Sequence, residues 1–448
     1  MSQEPAPEVQ GTPVTARNWQ DPPFNRWAFW HVSDILPTYR VPRGDGQVRP
    51  LPAASVRPDL LAVPVTRVDR SAGTPSASTP SASTPSASTV GGVLEDTYTD
   101  AYLVLQDGEL VTEWYGPRGA PDRPHALMSV SKSVVGCVAA VLIDRGQLDP
   151  DAEITSYLPE LAGSGYAGAL VRHVYDMRSG VRFLEEYANP DSDIRRLDEW
   201  VGWEPGDGEP RGLYRFLATL RAEAPHGERF LYRSAESDVL GWLCEQAAGR
   251  PMAELISELI WAPMGAEHDA ILLHDGLGTA VHDGGLCATA RDVARFGQMV
   301  LDGGLVPDGA GGSRRVVPPQ WLRRAWAVDA DGRSVFAASP AEWAFPGGWY
   351  RHQFWFRPGD YGDVLLGLGI HGQMLHVSRR TNTVCVKFSS WPDAQDPSYL
   401  EDTLRAFDAA GGFLAGRDPG RRRLAGVVSG LSRSGDTMPP APPRPTVV

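Results

Sequence analysis

The hexapeptide MSVSKS at residues 128–133 heads the apolar run 134–143 and constrains this chain more than any other stretch. The pattern predicts a helix from about Ser129 that ends at Gly146. Ser129 and Lys132 are three residues apart, nearly one helical turn, so both side chains lie on one face. This spacing predicts a serine nucleophile with lysine as its proton acceptor.

Lysine is scarce elsewhere in the sequence. Lys and Arg together number 42, yet lysine occurs only at positions 132 and 387. A buried lysine can lose its proton near neutral pH and arginine cannot, so a lysine kept against this bias indicates a group that titrates. Burial at a helix N-terminus predicts a pKa for Lys132 about 3 units below the usual ~10.4. Serine is common, however, so the spacing alone could arise by chance.

Composition excludes several classes of function. A net charge of −13 argues against nucleic acid or an anionic membrane as the main partner and fits small or cationic ligands better. A length of 448 residues with 42% hydrophobic content predicts a large globular protein. The four cysteines lack zinc or disulfide spacing, and no phosphate-loop or metal motif occurs, so we expect no metal and no cofactor. The first residues lack a signal-peptide pattern, which predicts a cytoplasmic location.

Low-complexity segments suggest the domain limits. Residues 1–17 are expected to be disordered, residues 18–416 to form the folded domain, and the Pro- and Arg-rich residues 417–448 to form a tail. A TPSAS repeat within 71–92 predicts a flexible insertion with no catalytic role. The segment WQDPPFNRWAFW at 19–30 predicts an arm folded over the body.

The remaining patterns predict an α+β fold. Two β-rich runs around Asp107-Gly108 indicate a tight hairpin, and Thr289 caps a predicted helix. Strands near both ends with helices between them predict one antiparallel sheet built from both ends of the chain, plus an inserted helical lobe. The other predicted helices are 234–248 and 251–261, and the C-terminal strands are 364–370, 374–377 and 383–388.

Two further stretches could complete a site around Ser129. Tyr232-Arg233-Ser234 directly precedes a predicted helix, which would place the phenol at a cleft, although a tyrosine in such a position, taken alone, is more often a core residue. The glycine-flanked stretch 369–373 could bring a strand edge, and with it a second oxyanion donor, beside the nucleophile.

Together these motifs carry a resemblance. SVSK, YRS and IHGQ, in this order, resemble the three motifs of the class C β-lactamase and penicillin-binding-protein superfamily. From about residue 19 to 409 the chain also resembles the 6-aminohexanoate-dimer (nylon-oligomer) hydrolases, through segments such as WQDPPFNRWAFW, TYTDAYLVL, SAESDVL and KFSSWPD. The resemblance implies a β-lactamase-like fold, cleavage of amide bonds in short linear 6-aminohexanoate oligomers, a side activity on short-chain esters, and a homodimer.

The resemblance also implies roles for individual residues. Ser129 would form the acyl-enzyme, Lys132 would take its proton, and Tyr232 would relay that proton to the leaving amine. The backbone N–H groups of Ser129 and Gln373 would form the oxyanion hole. Tyr187 would hydrogen-bond the scissile amide and favour amide over ester cleavage.

The same resemblance implies the walls of the substrate site, namely Asp198, Asp283, Trp203, Trp355 and Ile370. From the residues alone, Asp198 lies in an acidic stretch typical of a solvated surface, and Asp283 lies in an ordinary turn. Ile370 replaces a lysine that β-lactam-handling relatives carry, so β-lactamase activity is not expected. Arg233 is a large charged residue that could alter specificity. A carboxylesterase with little amidase activity is the main alternative, and a non-catalytic binding protein of the same fold is another.

Overall fold

The computed structural model describes residues 8–9, 11–54, 57–67, 86–203 and 211–416. The predicted tail 417–448 and most of the TPSAS repeat lie outside the described residues. Among those described, no helix combines the length and the apolar character that crossing a bilayer requires.

The strands and the helices are numbered separately, each in chain order. The strands are β1 Glu8–Val9, β2 Thr12–Pro13, β3 Thr38–Val41, β4 Pro64–Arg67, β5 Ser86–Thr89, β6 Thr99–Gln106, β7 Glu109–Tyr115, β8 His125–Ala126, β9 Ala270–Leu273, β10 Leu286–Ala288, β11 Leu305–Pro307, β12 Ser313–Arg315, β13 Trp349–Arg351, β14 Phe354–Gly359, β15 Gly362–Gly369, β16 Gln373–Ser378 and β17 Thr383–Ser389. The α-helices are α1 Asn25–Ala28, α2 Val90–Asp96, α3 Ser131–Asp144, α4 Ile154–Tyr157, α5 Val171–Tyr175, α6 Asp193–Val201, α7 Leu213–Thr219, α8 Ser234–Ala248, α9 Met252–Ile256, α10 Ala262–Met264, α11 Ala290–Leu301, α12 Pro319–Trp326, α13 Ala330–Ala337 and α14 Pro397–Leu414. Short 3₁₀ turns lie at Val32–Asp34, Pro58–Ala62, Met128–Val130, Pro159–Leu161, Pro340–Trp343 and Ile370–Gly372, and a π turn lies at Ser257–Trp261.

The central sheet joins the two ends of the chain. Its order is β13-β14-β15-β16-β17-β6-β7, and all neighbouring strands are antiparallel. β17 pairs with β6, with Val386 opposite Leu103, so the C-terminal and N-terminal strands meet inside the sheet. The prediction of one antiparallel sheet built from both ends, with helices inserted between them, is confirmed.

Both faces of this sheet are covered. On β6, Leu103 and Leu105 belong to the core shared with α3, α8 and α11, whereas Tyr102 and Val104 pack with α2 and α14 on the other face. Because both faces are buried, the middle of β6, from Ala101 to Leu105, is continuously apolar instead of alternating. The tight turn to β7 uses Asp107 and Gly108, both with positive φ, as predicted from the Asp-Gly pair.

Helix α3 carries the nucleophile motif into the core. It starts after the 3₁₀ turn at Met128–Val130, and its residues from Ser131 to Leu142 are all buried. A helix that is buried on all sides needs apolar residues all round, which explains the run 134–143. Its closest helical neighbour is α8, the helix that follows Tyr232-Arg233-Ser234.

Several sequence-based expectations were wrong. Residues 11–17 are not disordered, because Thr12-Pro13 pair with β1 and Val14 is 3% exposed. The end of the TPSAS repeat is also ordered, since β5 pairs with β4 and Thr89 caps α2. A second sheet, β3-β9-β10-β8, was not predicted. The arm at 19–30 does fold onto the body, with Trp19 and Trp30 buried, although it includes the single helical turn α1.

Candidate active site

The nucleophile lies on a constrained turn. Met128, directly before Ser129, has φ of 47°, a left-handed conformation that is rare for a residue with a side chain. The hydroxyl of Ser131 donates to the carbonyl of Met128 at 2.6 Å and accepts from the N–H of Leu286 at 3.0 Å. The second serine of the motif therefore fastens the turn, and Ser129 is left half-buried among buried neighbours.

Lys132 is anchored by three hydrogen bonds. Its Nζ donates to Ser129 Oγ at 2.7 Å, to the carbonyl of Asp283 at 2.8 Å and to Ser234 Oγ at 3.1 Å. An ammonium group has three donors, so this geometry suits the protonated side chain. The predicted pair of Ser129 and Lys132 is therefore in direct contact.

The expected lowering of the Lys132 pKa was wrong. Burial alone lowers it, but the negative charges of a Tyr232 phenolate, Asp283, Glu185 and Asp238 outweigh burial and raise the pKa of Lys132 above its usual range. The Asp283 carboxylate lies 3.6 Å from Nζ. Sequence placed Asp283 towards the substrate, whereas in the structure it contacts the lysine.

Two further carboxylates complete this cluster and were not predicted from sequence. Glu185 accepts from the N–H and hydroxyl of Ser234 at 2.6 and 2.8 Å, and from the hydroxyl of Tyr187 at 2.9 Å. Asp238, one helical turn after Ser234 on α8, accepts from the N–H groups of His282 and Asp283 at 3.0 and 3.1 Å. Burial raises the pKa of both carboxyls. A hydrogen-bonded chain thus runs from Lys132 through Ser234 and Glu185 to Tyr187.

Tyr232 lies against Lys132. The lysine Nζ is 5.2 Å from the centre of the phenol ring, and the ring stacks on Trp355 with centroids 5.0 Å apart. Burial raises the pKa of Tyr232 to about 12, although Lys132 and Ser129 lower it. The phenol is therefore held beside both the nucleophile and a cation that stabilises its phenolate.

The end of β15 meets the nucleophile turn. A Cβ added to Gly369 would lie 2.6 Å from the carbonyl oxygen of Leu127 and 2.9 Å from Cβ of Met128, so only glycine allows this approach. After the turn, the Gln373 side-chain amide donates to the carbonyl of Ser389 at 2.7 Å, which ties β16 to β17. Gln373, whose N–H is the predicted second oxyanion donor, is thus the first residue of the strand that follows this contact.

Comparison with known proteins decides the family. The Beta-lactamase family model matches residues 90–407. The chain belongs to the beta-lactamase family. A 6-aminohexanoate-dimer hydrolase from Paenarthrobacter ureafaciens is 39% identical over 403 residues, covering 88% of this chain and 94% of the relative. With its Ser129–Lys132 pair, this beta-lactamase-family chain is a serine hydrolase.

Two other relatives agree with this family assignment. A structure from Bacillus anthracis, provisionally described as a 6-aminohexanoate-dimer hydrolase, superposes with a TM-score of 0.78 at 26% identity, over 90% of this chain and 98% of that one. Esterase EstB from Burkholderia gladioli is 30% identical over 165 residues, which is 34% of this chain and 41% of the esterase.

In this beta-lactamase-family enzyme, some of the residues predicted for the substrate site line a cavity and others are buried. Tyr187 and Trp203 line a cavity of about 560 Å³. Asp198 is not on a solvated surface, since it is 6% exposed on α6. Trp355 is 2% exposed and lies behind Tyr232, so in this structure it supports the phenol without facing open space. Ile370 is half-buried in the turn before Gln373.

Arg233 is turned inward. Its guanidinium is 2% exposed and pairs with Glu236 at 2.6 Å, and Glu236 also accepts from the hydroxyl of Ser179 at 2.7 Å. Sequence suggested that Arg233 could alter specificity, but its charge is used in a buried ion pair. Among the described residues, no group of three or more His, Cys, Asp or Glu side chains is placed to hold a metal ion.

Proposed function

We propose that this serine hydrolase cleaves amide bonds in short linear 6-aminohexanoate oligomers through an acyl-enzyme on Ser129, with a side activity on short-chain esters. The observation that carries the proposal is the 2.7 Å hydrogen bond between Lys132 Nζ and Ser129 Oγ, in a chain that is 39% identical to a 6-aminohexanoate-dimer hydrolase. Tyr187, bonded to Glu185 in the same network, is the group that we assign to the scissile amide.

The proton positions suggest an order of steps. Lys132 keeps its proton, because carboxylates surround it and all its donors are used. In the reactive form Tyr232 has released its own proton to solvent, and the resulting phenolate, which the Lys132 ammonium stabilises, takes the proton of Ser129 as Oγ bonds to the substrate carbonyl carbon. Tyr232 then gives that proton to the amide nitrogen as the C–N bond breaks. This order assigns to Tyr232 the acceptor role that sequence assigns to Lys132.

The second half of the reaction regenerates the serine. Water attacks the ester carbonyl of the acyl-enzyme and loses a proton to Tyr232. Tyr232 then returns this proton to Ser129 as the bond to Oγ breaks and the acid product leaves. We assign stabilisation of the oxyanion in both halves to the N–H groups of Ser129 and Gln373. Since Ile370 brings no charge to the site, we expect little turnover of β-lactams.

One assay with two substrates tests this function. Purified protein is given linear 6-aminohexanoate dimer and, separately, p-nitrophenyl acetate, with Ser129→Ala as the control for both. The proposal predicts turnover of both by the native protein and of neither by the variant. Mass spectrometry after treatment with a fluorophosphonate should show one label, on Ser129.

A carboxylesterase with little amidase activity is the second candidate. The match to Esterase EstB favours it, because that relative is named for ester hydrolysis. Turnover of p-nitrophenyl acetate without release of 6-aminohexanoate from the dimer would select this candidate and overturn the amidase proposal.

We also infer that the enzyme works in the cytoplasm as a homodimer. Its four cysteines are free and buried, which suits a reducing compartment. Cell fractionation and light scattering of the purified protein would test location and oligomeric state separately.

A further inference from the structure

The turn that precedes Gln373 has an unusual backbone. His371 has φ of 57° and ψ of 19°, and Gly372 after it has φ of 85°, so two successive residues are left-handed. Glycine adopts this conformation freely, whereas a residue with a side chain rarely does, and histidine, asparagine and aspartate are the types that tolerate it best. The surrounding fold therefore holds His371 in a conformation that most residues would avoid.

Both the backbone and the side chain of His371 are fastened to one neighbouring segment. Its N–H donates to the carbonyl of Ala394 at 2.8 Å, and its carbonyl accepts from the N–H of Trp391 at 3.2 Å. The ring Nδ1 lies 2.8 Å from the carbonyl oxygen of Trp391, which can only accept, so Nδ1 carries a proton and donates. A Cβ added to Gly372 would lie 2.3 Å from the Trp391 ring. The path of the chain through this turn is therefore fixed.

The N-terminal arm reaches the same turn at two points. The Asn25 side chain donates to the carbonyl of Trp391 at 3.0 Å, and this is the oxygen that also binds the His371 ring. The Phe29 ring contacts the His371 ring, with centroids 5.2 Å apart and planes at 62°. Asn25 and Phe29 are both fully buried, so this part of the arm belongs to the protein interior.

Phe29 also contacts the strand that leads to the nucleophile. Its carbonyl accepts from the N–H of Ala126 at 2.8 Å, and Ala126 is the last residue of β8, shortly before Ser129. The Phe29 ring thus touches the turn before Gln373, while its backbone is bonded to the segment before Ser129. These are the two segments whose N–H groups we assign to the oxyanion, so Phe29 bears on the distance between those groups.

We propose that His371 is a positioning residue for the oxyanion hole, held by Phe29 and Trp391 so that the N–H of Gln373 stays in place beside the N–H of Ser129. His371 acts through the backbone of the turn and takes no part in the proton transfers. This role rests on the proposed function, because the oxyanion forms only when Ser129 attacks a carbonyl group. It also gives the N-terminal arm a part in the reaction.

Direct contact with the substrate is the alternative role for His371, because its side chain lines the cavity of about 560 Å³. The two roles predict different kinetics. Loss of a contact made equally in the ground state and the transition state raises KM, whereas displacement of an oxyanion donor lowers kcat. Phe29 is fully buried, so a change there acts on the reaction only through its neighbours.

Kinetics on p-nitrophenyl acetate test the positioning role. His371→Ala removes the ring and disfavours the left-handed backbone, so kcat should fall about 10- to 100-fold while KM stays within about twofold. His371→Asn should keep kcat within about threefold of native, since asparagine tolerates this backbone and its amide can donate to the Trp391 carbonyl. Phe29→Leu stays apolar but loses the contact between the rings, and should lower kcat about threefold to tenfold.

His376→Asn is the matched control, because His376 is a buried histidine on the same strand whose ring contacts Phe407 on the face of the sheet away from α3. This variant should keep the native kcat. If His371→Ala does not fold, His371→Gly replaces it, since glycine allows the left-handed backbone and still removes the ring. A loss confined to KM, an equal loss in the control, or an Asn variant no better than the Ala or Gly variant would overturn the proposal.

A double variant tests whether the two side chains act together. His371→Ala combined with Phe29→Leu should be no slower than His371→Ala alone, because the Phe29 ring acts through the ring that is already missing. Losses of kcat that multiply would show that Phe29 acts by another route, and would overturn its part in the proposal.

Labelling of Ser129 by a fluorophosphonate separates this inference from the amidase function. Oγ bonds to phosphorus as fluoride leaves, and the step needs no turnover of the dimer. Labelling slowed about tenfold by His371→Ala, in a protein that does not cleave the dimer, would refute the amidase function and keep the positioning role. Cleavage of the dimer by the native protein, with kcat and labelling unchanged in the His371 variants, would refute the positioning role alone.

Discussion

The role of Tyr232 can be isolated by changing the leaving group of the substrate. An amine must be protonated before it leaves, whereas p-nitrophenolate leaves without a proton. If Tyr232 accepts the proton of Ser129, Tyr232→Phe should lower kcat/KM on both the dimer and p-nitrophenyl acetate by about 10²- to 10⁴-fold. Retained ester turnover with loss of amide turnover would show instead that Tyr232 serves only the leaving group, and that Lys132 takes the serine proton.

Asp283 sets the protonation of the pair of Lys132 and Tyr232. Its carboxylate is 3.6 Å from Nζ, and removing that negative charge makes a proton easier to lose from the pair as a whole. Asp283→Asn keeps the backbone carbonyl that binds Lys132, and should move the alkaline rise of kcat/KM to lower pH by about one unit. The pH profile is measured on p-nitrophenyl acetate, with the exposed Asp45→Asn as control. An unmoved profile would show that the charge of Asp283 does not affect the proton equilibrium of Lys132 and Tyr232.

For single residues, the sequence was enough to identify the reacting side chains but not to predict their protonation states. Ser129 and Lys132 are neighbours on one helical turn, so a local pattern was enough to pair them. Glu185 and Asp238 come near the lysine only in the folded chain, and no spacing in the sequence indicates that their charges act on it. The pKa of Lys132 was therefore predicted in the wrong direction, since burial could be expected and the surrounding carboxylates could not.

The contact between β15 and the nucleophile turn gives an element-scale prediction. Gly369 has an ordinary φ of −131°, so Gly369→Ala adds no backbone strain, and its effect is the clash with Leu127 and Met128. Displacing the turn should lower kcat by about 10²-fold, because an oxyanion donor loses its position. Gly163→Ala is the control, since a Cβ there meets nothing within 4 Å. Equal activity of both variants would contradict a steric role for Gly369.

Strand β17 carries the second lysine, Lys387, in the interior. Burial lowers its pKa to about 7, with Asp100 partly opposing this, so between pH 7 and its usual value of 10.5 the unfolded chain binds one more proton than the folded chain. Stability from this group therefore rises with pH across that window. Thermal unfolding should show the Tm of the native protein rising relative to that of Lys387→Met between pH 7 and 9. Parallel curves would mean that Lys387 titrates normally in the folded protein.

Long elements were predictable from the sequence and short ones were not. Helix α8 coincides with the predicted 234–248, and Thr289 caps α11 through the N–H of Asp292 as its pattern indicated. The sheet β3-β9-β10-β8 has strands of two to four residues, and β3 pairs with β9 more than 200 positions further along. Strands that short leave no periodicity, so only the tertiary fold defines them.

The whole molecule is organised by pairing between distant parts of the chain, and one such junction allows a design test. Arg67 at the end of β4 lies opposite Ser86 at the start of β5, so the ends of segment 68–85 are neighbours in a ladder. Replacing 68–85 with Asn-Gly should close a tight hairpin there. Since a shorter loop costs less entropy to close, we expect stability to rise by about 1–2 kcal/mol.

The same variant tests whether segment 68–85 takes part in function. β5 leads into α2, which covers the face of the central sheet away from α3, so the replacement is remote from Ser129. Dimer and p-nitrophenyl acetate turnover should stay within about twofold of the native values, while Tm rises by a few degrees. A variant with Gly-Ser repeats of native length is the matched control and should keep the native Tm. Loss of amide turnover in both variants would give this segment a role in the reaction, contrary to the expectation from its composition.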